Sequence, residues 1–183
     1  MTTYKEAVIA HYKKNWHHEM TEKVWKKGPV HELPDDFCIL EFSPSSTRDM
    51  WTYATCCMSQ SDDTKRIEIH IFSPFKTDEL LELLTIVAHY HRTGTQLDLG
   101  HTVNFGKGWV SDSICKYGLI SLPYLDGPDL ENADIDGTVK NYWLIPITEK
   151  EREYKKQFGV ESLEEKLEAA GFNYLDPNRS DVV

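Results

Sequence analysis

Glu68 and His70 stand two apart in the run Arg66-Ile67-Glu68-Ile69-His70-Ile71-Phe72, whose centre alternates apolar and polar residues. On a strand that spacing puts both side chains on one face, where a carboxylate and an imidazole can act as an acid–base pair if the face lines a cleft. The alternative is an exposed cross-strand hydrogen-bonding pair. Other candidates carry less. His89 and His91 diverge by about 200° around a helix and cannot share a metal ion, unlike histidines four apart. His17-His18-Glu19 reads as a solvated helix end. Gly106-Lys107-Gly108 lacks the spacing of a phosphate loop and precedes a strand, so its glycines suit a tight turn. The chain has no Gly-x-Ser-x-Gly elbow, and no cofactor or metal site is expected. Cys56 and Cys57 point to opposite faces of a strand, which suits neither a metal pincer nor a relaxed disulfide. They are expected as reduced, partly buried thiols, like Cys38 and Cys115, with a vicinal redox switch as the alternative.

The elements that would position these residues are legible from periodicity. Thr3 and Glu6 form a capping box ahead of Val8, Ile9, Tyr12 and Trp16 at helical spacing, and the stretch to Lys27 either extends that helix or begins a loop. Strand-like segments follow at Val30–Leu33, Phe37–Phe42, Trp51–Met58 and Arg66–Phe72. Thr77 is the expected N-cap of a helix whose apolar stripe runs from Leu80 to His91 and which closes at Gly94. Two more strands, His101–Phe105 and Ile114–Ser121, flank the loop Gly106–Asp112. In that loop Trp109 is either an exposed anchor or folded underneath. The segment Leu125–Asp136 is acidic, turn-rich and expected to be exposed. A strand at 140–147 ends at Pro146, which has no N–H for sheet pairing, and Thr148 with Glu151 caps a helix to Phe158. A second helix carries Leu163, Leu167 and Ala170 and stops at Gly171. These elements describe one α+β domain with a mainly antiparallel sheet and helices packed around it.

Composition narrows the function. A chain of 183 residues is long enough for a full core, and it contains no apolar stretch of about 18 residues and no signal peptide, so a cytosolic protein is expected. The formal charge of −10 argues against nucleic acid or an anionic membrane as partner and favours a basic protein, with acidity that serves only solubility as the alternative that charge alone prefers.

Taken in order, Trp51–Ser59, Glu68–Pro74, the helix from Leu80 to Tyr90, Gly100–Val103, Leu119–Pro128, Trp143–Thr148 and Leu175–Arg179 resemble the suppressor-of-fused-like domain family. The resemblance spans roughly residues 35–183 and leaves 1–34 as an N-terminal helix and lead-in. The family pattern often has glycine where this chain has Cys57. The resemblance implies a binding module, not an enzyme. Animal members are two-domain repressors that clamp a transcription-factor peptide as an added strand, and this chain has the length of their N-terminal domain. Bacterial single-domain members look like immunity proteins that neutralise a cognate toxin. The leading expectation is therefore an immunity protein against a basic toxin domain. Capture of an extended peptide by β-strand addition is the alternative, and an enzyme using Glu68 and His70 ranks last. The resemblance transfers no contact residue. Charge and loop position instead point to Trp109, Asp112, Asp126, Asp129 and Glu131 as one partner-facing surface.

Overall fold

The computed structural model describes residues 2–17 and 19–183. His18 of the expected helix end lies outside the described residues. A reciprocal capping box between Thr3 and Glu6 opens helix α1 (Tyr4–Asn15), as the sequence predicts. Strands β1 (Met20–Lys23), β2 (Cys38–Phe42), β3 (Trp51–Cys56) and β4 (Ile67–Ser73) form an antiparallel meander. Helix α2 (Glu79–Thr93) leads to β5 (Thr102–Asn104), β6 (Tyr117–Ser121), the short α3 (Pro128–Glu131), β7 (Asn132–Asp134) and the long β8 (Thr138–Ile147). Helices α4 (Glu149–Phe158) and α5 (Val160–Ala169) follow. The sheet order is β1-β2-β3-β4-β8-β6-β5, with β7 also paired to β8; among the described residues only the β4–β8 pair is parallel.

Both faces of this sheet are covered. On one face Ile39, Tyr53, Ile69, Ile71, Tyr142 and Leu144 pack beneath α2 and the loops around Val103 and Trp109. On the other face one half buries Leu40, Phe42 and Ala54 beneath α1, Leu130 and Ala133. The remaining half of that face buries Phe72, Leu119, Trp143 and Ile145 beneath Leu163 and Leu167 of α5 and the tail after it.

Several expectations change in the structure. Residues 20–23 form neither helix nor loop but the edge strand β1, because α1 ends at Trp16 and the chain turns back along β2. Val30–Leu33 is a turn. Asp78 holds the N-cap position of α2, while Thr77 Oγ1 accepts from Glu79 N at 3.1 Å. Gly94 ends α2 with φ −108°, outside the left-handed region, and a Cβ there would lie 2.8 Å from the exposed Tyr90 ring, which would have to shift. The acidic stretch is structured as α3 and β7, with Leu130 buried on the helix and Ala133 and Ile135 buried at alternating positions after it.

Pro146 does not end sheet pairing. It stands opposite Gly118, with Ile147 paired to Tyr117 beyond it. Pairing with β4 stops at Trp143, so the missing N–H faces no lost partner. Cys57 leaves the strand with φ +67°, which brings its thiol to the same side as that of Cys56, 3.9 Å away. All four thiols are free and buried.

Candidate functional site

Glu68 and His70 do share a face of β4, but that face lies under α1 and both residues are 0% exposed. Glu68 accepts from Thr55 Oγ1 at 2.6 Å, Met58 N at 3.2 Å and Ser59 N at 3.3 Å. Burial pushes its carboxyl up to about 7, opposed by those hydrogen bonds. Its role is to clamp the turn after β3, where Cys57 takes its left-handed conformation. The His70 ring stacks edge-on against Trp16 at 5.2 Å and Phe72 at 5.3 Å. Burial, helped by the Arg48 guanidinium, pulls its pKa down to about 3, so the ring is neutral. Neither group reaches a cleft. The expected alternative of an exposed pair fails for the same reason: a covered second face buries the polar positions of an alternating strand as well as the apolar ones.

The five residues assigned to one contact surface are dispersed. Trp109 is 1% exposed and lies in the core beneath α2, not on the surface. Asp112 is exposed at the tip of the same loop, which is tied to α2 by Ser111 N donating to Glu79 Oε2 at 2.9 Å. Asp126, Asp129 and Glu131 belong to the opposite face of the sheet, near α1, where His11 Nε2 bonds the Leu130 carbonyl at 2.8 Å. Asp126 is enclosed, accepting from Trp16 Nε1 at 2.9 Å and pairing with Arg48. Glu131 is paired with Lys140 at 2.7 Å, and Asp129 is exposed. Asp126 and Trp109 therefore shape the fold, and the loop and the acidic segment do not form one patch.

A different surface combines exposed apolar area with unpaired charge. A groove of about 710 Å³ has at its base the half-buried Phe172 and Tyr174 of the tail, which rest on Trp143 and Ile145 of β8 and Leu167 of α5, each only 2–3% exposed. Trp143 stacks on Phe172 at 6.2 Å and meets Tyr174 edge-on at 5.2 Å, which makes the floor a fixed aromatic cluster. Tyr124 and Leu125, 58% and 47% exposed, form one wall, and Asp126 anchors their turn from behind. The other wall is α5, which contributes Glu161, Glu164, Glu165 and Glu168. Glu164 accepts from Ser121 Oγ and from Tyr124 Oη at 3.1 Å. Among the described residues, none of the four glutamates has a cation within salt-bridge distance. Sequence reasoning missed this site because its parts are far apart in the chain. Its one local signal was the i, i+3, i+4, i+7 spacing of the glutamates.

The groove floor depends on how the tail is fastened. Asp176-Pro177-Asn178-Arg179 is a turn, with Asn178 N donating to Asp176 Oδ1 at 2.9 Å and Arg179 N donating to Asp176 O at 3.2 Å. The turn delivers Arg179 to Glu151, which it meets through two hydrogen bonds of 2.6 and 2.7 Å. Arg179 Nη2 also donates to the Pro146 carbonyl at 2.9 Å. Glu151 in turn completes the capping box with Thr148 and accepts from Val182 N at 3.1 Å. One buried carboxylate thus joins the end of β8, the start of α4 and the tail that carries Phe172 and Tyr174.

The family model for Suppressor of fused protein (SUFU) matches residues 34–180. The chain belongs to that family. A suppressor-of-fused homolog from Neisseria gonorrhoeae is 38% identical, with 98% of this chain and 97% of that chain covered and a TM-score of 0.87. The Sufu–Fu complex structure matches at 16% identity, over 99% of this chain and 93% of that chain, with a TM-score of 0.72. Drosophila Suppressor of Fused matches at 15% identity and a TM-score of 0.71, over 99% of this chain but 51% of that one. At such identities the likeness is one of fold. No curated protein gives a significant sequence match. This SUFU domain has, among its described residues, no helix long and apolar enough to cross a membrane.

Proposed function

We propose that this domain is a non-catalytic protein-binding module that acts in the cytosol as an immunity protein, neutralising a basic toxin domain seated on the α5 groove. The observation that carries the reading is the groove itself: four glutamates with no cationic partner among the described residues, beside Phe172 and Tyr174 held on a buried aromatic support. Apolar contact supplies affinity at such a site, and uncompensated charge supplies encounter rate and choice of partner. The formal charge of −10 extends the attraction beyond the groove. Strand addition has less to work with, because edge strands β1 and β5 are four and three residues long. Asp112 and Asp129, exposed on opposite faces, can extend a contact surface but cannot share one.

Co-expression tests the reading. Each gene flanking this one is expressed in a growth assay, alone and with this protein. One neighbour encoding a basic protein should arrest growth alone and be tolerated in the presence of the parent domain. Protection should disappear when Glu161→Lys, Glu165→Lys and Glu168→Lys are combined. Full protection by that triple variant, or no toxic neighbour at all, would refute the proposal.

A further inference from the structure

We infer that the α5 groove receives a cationic amphipathic helix of the partner, lying alongside α5 with its apolar side chains on the aromatic floor and Lys or Arg beside the glutamates. The inference rests on the groove being the partner site, and it specifies the form of the ligand.

The floor presents side chains, not backbone. Phe172 and Tyr174 lie over Trp143 and Ile145, which project from the face of β8, and the edges of β8 are taken by β4 as far as Trp143 and by β6 from Trp143 to Ile147. Beyond the point where β4 departs, the Pro146 carbonyl is already bonded to Arg179, and Pro146 has no N–H to offer. An extended peptide in this groove would find no ladder for its own N–H and C=O groups. Each group left unpaired in an apolar site costs roughly 1–3 kcal/mol. A helix brings its backbone bonds with it.

The charge spacing agrees. Glu161, Glu164, Glu165 and Glu168 stand at i, i+3, i+4 and i+7. With a rise of about 1.5 Å per residue they mark axial intervals of about 4.5, 6 and 10.5 Å. A partner helix carrying basic residues at the same spacing reproduces every interval, whereas one face of a strand repeats at about 6.6–6.8 Å. Like charges at i, i+3 and i+4 also repel within α5, an arrangement that opposite charge relieves.

The probe is a 15-residue synthetic peptide with Leu and Phe along one helical stripe and Lys on the flank at i, i+3, i+4 and i+7. Two controls have the same composition with a central proline, or Glu in place of every Lys. Binding is followed by calorimetry and by backbone amide shifts of the folded domain in about 50 mM salt. The helical peptide should bind with micromolar Kd and shift amides around Trp143, Glu165 and Phe172. The proline peptide should bind at least tenfold more weakly, and the Glu peptide not at all. Combining Glu165→Lys with Glu168→Lys, both on the exposed side of α5, should weaken the helical peptide at least tenfold without lowering the thermal midpoint. If proline and helical peptides bind equally and charge reversal abolishes both, the helical form is refuted while the groove remains the partner site. If charge reversal changes nothing, or the helical peptide fails to bind at 1 mM, the groove reading falls with it.

Discussion

Replacing Arg179 with methionine removes the side chain that fastens the tail and leaves Glu151 in place. Glu151 is 0% exposed and the Arg179 side chain 6%, so the pair is effectively desolvated. The variant loses two hydrogen bonds to the carboxylate, one to the Pro146 carbonyl and one to the Ser180 carbonyl. Methionine keeps much of the apolar volume, so the dominant cost is an uncompensated buried charge, about 3–5 kcal/mol. For a chain of this size, each kcal/mol moves the thermal midpoint by about 2–4 °C, which gives a fall of roughly 6–20 °C. Urea unfolding followed by tryptophan fluorescence reads the loss as a lower midpoint at unchanged slope. A second variant, Arg179→Met with Glu151→Gln, removes the charge but keeps an oxygen for Thr148 N or Val182 N, and should recover at least 1 kcal/mol. A single variant within 1 kcal/mol of the parent, or a double variant less stable than the single, would refute the clamp.

Two further effects follow from side chains buried under α1. His70, at about 3 against its ordinary 6.5, binds no proton in the fold where the unfolded chain does, so stability falls as pH drops through that window. Glu68, at about 7 against 4.5, keeps its proton in the fold where the unfolded chain loses it, so its contribution falls as pH rises. Between pH 4.5 and 6.5 the two slopes, each up to about 1.4 kcal/mol per unit, oppose each other. Urea midpoints of Glu68→Gln should therefore fall steeply from pH 6.5 to 4.5, and those of His70→Phe should fall as pH rises, while the parent stays flatter than either. Parallel profiles for all three would contradict the burial of Glu68 and His70. Cys57 has φ +67°, where a side chain costs roughly 1–2 kcal/mol and glycine nothing. Cys57→Gly should therefore be about 1 kcal/mol more stable than Cys57→Ala by chemical denaturation, the reverse of the usual order.

Much of this fold can be read from local residues. The two capping boxes at Thr3–Glu6 and Thr148–Glu151 mark helix starts that need no tertiary help, because their partners lie three residues apart. Ile67, Ile69 and Ile71 identify a strand and its core face in the same way. The short, polar β1 has no such signal, since its pairing comes entirely from β2.

The sequence by itself determined most of the elements and their order, though not β1, α3 or β7, together with the family and the acidic character, because these rest on local spacing, on motifs met in order or on composition. Tertiary structure alone decided which surfaces exist. Period-two alternation shows which residues share a face but not whether anything covers it, so the covered second face turned Glu68 and His70 from candidate catalysts into buried supports. Packing likewise placed Trp109 and Asp126 on opposite sides of one sheet and assembled the groove from segments around 125, 144, 165 and 173. Contacts between residues that far apart depend on how the strands are ordered, and no local pattern encodes that order.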